Sequence, residues 1–162
     1  MLERFRQFWT NVWSPLADFL LRRGVTPDQV TVVGTIGVCF GALFFFPRGE
    51  LFWGVIVITA FVFSDIMDGY MARQSGQASK WGAFLDSTLD RVGDAAIFGG
   101  LAIYYVSSHA EADLGSTRTY FYLSLACLVL GSVTSYARAK AESLGMTAKG
   151  GIAERADRLV SI

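Results

Sequence analysis

Four stretches of this chain contain no charged residue: Thr31 to Pro47, Leu51 to Ser64, Ala95 to Ser108 and Thr119 to Tyr136. The hydrocarbon core of a bilayer is about 30 Å thick and takes a helix of about 20 residues to cross. The second and third stretches extend into acidic segments, which brings them to that length. Backbone amides in lipid must pair within their own segment, so segments of this size span as helices. The expected fold is an all-α, polytopic membrane helical bundle. The 52% hydrophobic share, spread over 162 residues, lies above the roughly 45–50% of soluble domains.

The chain reads as one interfacial helix and four spans. Residues 1–23 place Phe5, Phe8, Trp9, Trp13, Leu16, Phe19 and Leu20 at spacings of three and four, with Arg4, Arg6, Arg22 and Arg23 elsewhere. Arg with Trp and Phe on one amphipathic helix suits the membrane interface, and Pro15 is expected to break or kink it. Gly24 to Asp28 reads as a turn into a helix, with Thr26 capping, Pro27 in the first turn and Asp28 at the positive end of the dipole. The membrane domain is assigned to residues 24–162. Its spans run to about Phe46, from Leu51 to about Arg73, from about Trp81 through AAIFGGLAIYYV, and from about Arg118 onward. The apolar run beginning in LVSI reads as the start of a fifth helix. The domain is therefore taken as incomplete at its C-terminus, with six helices expected in the complete protein.

Fourteen basic residues balance fourteen acidic ones, so no bulk field argues for a nucleic-acid partner. Their placement is asymmetric. All Lys and Arg except Arg48 and Arg118 fall before the first span, between the second and third, or after the fourth. The positive-inside rule puts those three segments in the cytoplasm, as expected of a protein integral to the cell (inner) membrane. Cys39 and Cys127 both read as buried packing residues, and the single His109 lies in a polar loop, which excludes zinc and Cys/His nucleophilic chemistry. Met1 is followed by an amphipathic stretch and not by a signal-peptide pattern.

The acids carry the chemistry. Asp65 and Asp68 are three apart; Asp86 and Asp90 are four apart, so each pair shares a helix face. An Asp at membrane depth costs about 2.5–3.5 kcal/mol on insertion scales, so four require a compensating partner. Hard divalent cations prefer carboxylate oxygen, and two pairs of carboxylates suit two ions.

Written with gaps, the segment is D-x2-D-G-x2-A-R-x8-G-x3-D-x3-D: Asp65, Asp68, Gly69, Ala72, Arg73, Gly82, Asp86 and Asp90. It resembles the signature of the CDP-alcohol phosphotransferase family at all eight positions, and the hydropathy pattern and "GVTPDQVT" are also similar to family members. The resemblance implies Mg²⁺ or Mn²⁺, two ions, on Asp65, Asp68, Asp86 and Asp90, with Asp90 as a ligand or as the catalytic general base. It implies a CDP-lipid site of Asp65, Asp68, Gly69, Ala72, Arg73, Gly82 and Asp86. Arg73 suits a phosphate, and the two glycines let a nucleotide approach the backbone.

A second group follows the fourth span: Ser135, Arg138 and Lys140, with Arg155 after a Gly-Gly loop. This region is similar to the actinobacterial phosphatidylinositol-phosphate synthase branch of the family. There the corresponding cation pair reads Lys then Arg, where this chain has Arg138 then Lys140. The likeness implies an acceptor-phosphate site of Asp28, Ser135, Arg138, Lys140 and Arg155. The expected reaction is CDP-diacylglycerol plus inositol phosphate giving phosphatidylinositol phosphate and CMP, in a homodimer within the lipid bilayer. Flanking positive charge is the competing reading of the three basic residues, and helix initiation that of Asp28. Salt bridging is the reading of Arg91 and Asp94, which lie outside the motif.

The nearest rival is glycerol phosphate as acceptor, giving phosphatidylglycerol phosphate. Intramembrane prenyltransferases also pair Asp-rich motifs over Mg²⁺ but lack the G-x2-A-R-x8-G interior. An ion-coupled transporter would need polar residues along whole spans, and the first and fourth spans have few before their cytoplasmic ends.

Overall fold

The computed structural model describes residues 14–107 and 114–146, except the side chains of Asp65 and Leu114. The elements are α1 (14–22), α2 (Pro27–Phe40), α3 (Leu51–Val62), α4 (Ser64–Gln74), α5 (Lys80–Val106) and α6 (Leu114–Ser143). The chain divides into two units, Met1–Leu128 and Val129–Ile162, and the boundary falls within α6. Among the described residues three segments are long and apolar enough to cross a membrane: Pro27–Arg48, Leu51–Gln74 and Gly115–Ser143. The 27 residues of α5 give about 40 Å at 1.5 Å per residue, a length also sufficient to cross, with the charges confined to the part from Lys80 to Asp94.

Local chemistry explains the helix ends. Pro15 falls in the first turn of α1, where its missing N–H costs nothing, while residues 1–13 lie outside the described set. Gly24, at φ +80°, closes α1: its N–H bonds Leu21 O and that of Val25 bonds Leu20 O, a Schellman closure that needs the left-handed backbone. At α2, Thr26 Oγ1 accepts from Gln29 N while Gln29 Oε1 accepts from Thr26 N, so both donors at this end are satisfied reciprocally. Ser79 Oγ caps α5 by accepting from Gly82 N at 3.0 Å.

Two irregularities depart from the sequence expectation. The first span does not stay α-helical to Phe46: Gly41–Phe45 forms a π-helical turn and Phe46–Arg48 a 3₁₀ turn. Pro47 cannot donate to the carbonyl one turn back. Arg48 Nη1 donates instead to Phe44 O at 2.6 Å, with the guanidinium 3.8 Å above the Phe44 ring. The second span is not one helix either. It breaks at Phe63 between α3 and α4, where Ser64 Oγ donates to Phe61 O at 2.6 Å and competes with the main-chain ladder.

The first unit is organised around α2, which packs on α3, α4 and α5. Between apolar helices lipid offers no hydrophobic drive, so close backbone approach supplies the contact. A Cβ on Gly34 would run into the Ser64 hydroxyl, and one on Gly37 into the Phe61 ring. Further along, Val38, Ala42, Phe46, Ile58 and Ala96 form an apolar core. A second cluster, Ala17, Val30 and Met71 with Leu20, Met67 and Tyr70 around them, ties α1 to α2 and α4. Both cysteines were expected to be buried; Cys39 is half-buried and Cys127, on α6, is exposed. Tyr105 of α5 stacks on Tyr120 of α6 at 5.4 Å between ring centres.

Candidate active site

The motif is divided between two helices that α2 holds in common. Asp65, Asp68, Gly69, Ala72 and Arg73 lie on α4; Gly82, Asp86 and Asp90 lie on α5. Asp68 is buried, 7% exposed, and accepts a hydrogen bond from the Thr31 hydroxyl of α2. The Arg73 guanidinium folds back over the chain one turn earlier, with Nη1 3.5 Å from where a Gly69 Cβ would stand. A methyl at Gly69 would make ordinary van der Waals contact with that group.

Gly82 meets the start of α2. A Cβ there would lie 3.3 Å from Asp28 Oδ1 and 3.4 Å from Ser79 Oγ, so a bare backbone at Gly82 gives the Asp28 carboxylate room. Asp28 is thereby at the motif's glycine as well as in the first turn of α2. Sequence placed these residues in separate groups; the fold brings them together.

On α5, Asp86 is exposed and Asp90 is half-buried. Arg91 Nη2 is 2.9 Å from Asp94 Oδ2 and 3.9 Å from Asp90 Oδ2, so the pairing expected for Arg91 and Asp94 is present and reaches Asp90 only weakly. Among the described residues no three His, Cys, Asp or Glu side chains are gathered tightly enough to hold one ion. The donor chemistry nevertheless suits a hard divalent cation: Asp68, Asp86 and Asp90 offer oxygen only, with no thiolate or imidazole among them.

Of the other expected acceptor residues, three lie on the last part of α6. Ser135 is half-buried, and Arg138 and Lys140 are exposed near the end of α6, within the second unit. Arg138 Nε pairs with Glu142 Oε1 at 3.1 Å. Arg155 lies outside the described residues, as does His109.

Sequence reasoning missed two residues here. Thr31 reads as one more β-branched residue of an apolar span, and its partner is 37 positions away. Asp18 accepts from Tyr70 Oη at 3.3 Å, joining α1 to the motif helix two residues after Asp68. The only signal for Thr31 was its polarity one turn inside a span.

A helical membrane bundle in which two Asp-bearing helices, α4 and α5, both pack on α2 suits the class of metal-assisted membrane transferases. Residues 24–153 match the family model for CDP-alcohol phosphatidyltransferase, and the chain belongs to that family. It is 56% identical to the phosphatidylinositol phosphate synthase of Streptomyces avermitilis over 162 residues, covering 99% of this chain and 64% of that protein. The crystal structure of Mycobacterium tuberculosis phosphatidylinositol phosphate synthase with CDP-DAG bound matches with a TM-score of 0.81 and 42% identity, over 93% of this chain and 72% of that one. The same enzyme in complex with manganese and citrate matches with a TM-score of 0.80 and 43% identity, over 90% and 67%. The protein is an integral membrane protein.

Proposed function

We propose that the protein transfers the phosphatidyl group of CDP-diacylglycerol to an inositol phosphate, releasing CMP. The observation that carries this reading is the complete eight-residue motif on α4 and α5, in a chain 56% identical to a phosphatidylinositol phosphate synthase. The M. tuberculosis enzyme with CDP-DAG bound supports the donor, and its manganese complex supports the metal. Residues 1–23, of which 14–22 form α1, are proposed as the interfacial segment and 24–162 as the catalytic membrane domain, and the family resemblance alone supports a homodimer. The positive-inside asymmetry supports a site facing the cytoplasm.

Asp65, Asp68, Asp86 and Asp90 would hold Mg²⁺ or Mn²⁺. When bound, the ions neutralise the pyrophosphate and polarise its phosphorus. Arg73 binds a phosphate of the nucleotide, and Gly69 and Gly82 keep the backbone accessible to it, with Ala72 leaving the cleft open. Asp90 takes the proton from the acceptor hydroxyl as that oxygen bonds to the phosphorus bearing the diacylglycerol. The pyrophosphate P–O bond breaks and CMP leaves. Arg138, Lys140 and Arg155 are the cations proposed for the acceptor's phosphate, since charge-assisted bonds to phosphate oxygens are strong, and Asp28 and Ser135 are proposed to help frame the acceptor pocket. An apolar groove of about 520 Å³ between α2 and α5, lined in part by Val32, Ile36, Phe40, Leu89 and Val92, suits an acyl chain.

A transport pathway fits less well. Among the described residues the buried polar side chains of α2 to α4 are Thr31, Ser64 and Asp68, and beyond them the interior continues as Val38, Ala42 and Phe46. The deciding experiment incubates the full-length protein with CDP-diacylglycerol, Mn²⁺ and competing inositol phosphate and glycerol phosphate. Phosphatidylinositol phosphate as the main product is expected. Phosphatidylglycerol phosphate would reassign the acceptor, and no lipid product with either would end the reading.

A further inference from the structure

We propose that Thr31 is a positioning residue for Asp68, fixing the rotation of that carboxylate so that it can ligate a divalent cation. The inference rests on the metal reading of Asp68 given above. Thr31 and Asp68 are each 7% exposed, on different helices, and the Thr31 hydroxyl donates to Asp68 Oδ2. The same hydroxyl lies 3.1 Å from Pro27 O, one turn back on α2. It has a single proton and two acceptors. The ionised carboxylate is the stronger acceptor, since charge-assisted bonds are about twice as strong as neutral ones.

Thr31 is itself held. Its backbone lies one turn beyond the reciprocal cap of Thr26 and Gln29, and its branched Cβ restricts side-chain rotation. Asp68 sits on a helix with no such anchor at its start, because α4 follows α3 across the break at Phe63 without a side-chain cap. The hydroxyl thus ties a carboxylate on a less constrained helix to the best-capped end of the bundle. Carboxylates that ligate metals are commonly held by such outer partners, whose loss lowers metal affinity or activity about 10–100-fold.

The test is a Mn²⁺ titration of the full-length, metal-stripped protein without lipid substrate, followed by the electron-paramagnetic signal of free Mn²⁺. The variants are Thr31→Val, Thr31→Ser and Asp68→Asn, each with a thermal melt. Thr31→Val keeps the shape and removes the hydroxyl; the expected result is Mn²⁺ affinity about 10–100-fold weaker, an unchanged melt, and restoration by Thr31→Ser. Asp68→Asn must also lose affinity. Wild-type affinity in Thr31→Val while Asp68→Asn binds poorly would overturn the role of Thr31 alone. Loss of the cooperative melt in Thr31→Val would overturn it too, by making the bond structural. Undiminished affinity in Asp68→Asn would remove the metal reading of Asp68 and this inference with it.

Discussion

The two halves of α2 solve opposite problems with the same helix. Its first half, from Thr26 to Thr31, presents polar groups to its neighbours: a reciprocal cap, Asp28 beside Gly82, and Thr31 on Asp68. Its second half removes side chains. Gly37 lies against the Phe61 ring, and in the π turn just beyond α2 the fully buried Ala42 has its carbonyl 2.7 Å from where a Gly100 Cβ would stand. The first half locates charge; the second locks helices together by contact alone. Stability and chemistry therefore reside at different ends of the bundle, and mutations should separate them.

The largest effect is expected at the polar end. Asp90→Asn should lower turnover about 10²–10⁴-fold, the usual contribution of a general base, while the melting temperature and CDP-lipid binding persist. Retained turnover in a lipid product assay would remove Asp90 from that role. At the apolar end the pattern should invert. Gly37→Ala forces a methyl into the Phe61 ring and should destabilise by about 1–3 kcal/mol, the cost of overpacking. Gly99→Ala, with nothing within 4 Å of the added carbon, should melt as the wild type does. If Gly37→Ala abolished turnover and left the melt unchanged, the division between the two ends would fail.

Smaller effects sharpen the boundary. Tyr70→Phe removes the bond to Asp18 and should cost about 0.5–1.5 kcal/mol, seen as earlier proteolytic release of α1 in detergent. Arg138→Ala breaks a pair whose side chains are 69% and 55% exposed, so its melt should be nearly unchanged. Its KM for the phosphorylated acceptor should nevertheless rise. An unaltered acceptor KM would return Arg138 to simple flanking charge.

Periodicity and charge made most of the architecture legible. The uncharged runs gave the spans because lipid leaves a backbone of that length few alternatives. The Thr26-Pro27-Asp28 start of α2 could be read from local capping chemistry. The first residues of the third and fourth spans were placed one and four positions late, at Trp81 and Arg118 against Lys80 and Leu114. The break at Phe63 and the π turn at Gly41–Phe45 were not legible. Both depend on what the neighbouring helix tolerates: Ser64 opposite Gly34, and Gly100 against the Ala42 carbonyl.

What the sequence determined by itself is the helix content, the family and the eight motif positions, since spacing along one helix fixes which residues share a face. Tertiary structure decided which groups from other helices meet them. Thr31 reaches Asp68 and Asp28 reaches Gly82 only because α2 packs against both motif helices, and separation along the chain carries no trace of that. Side chains dozens of residues apart acquire a common environment through packing alone.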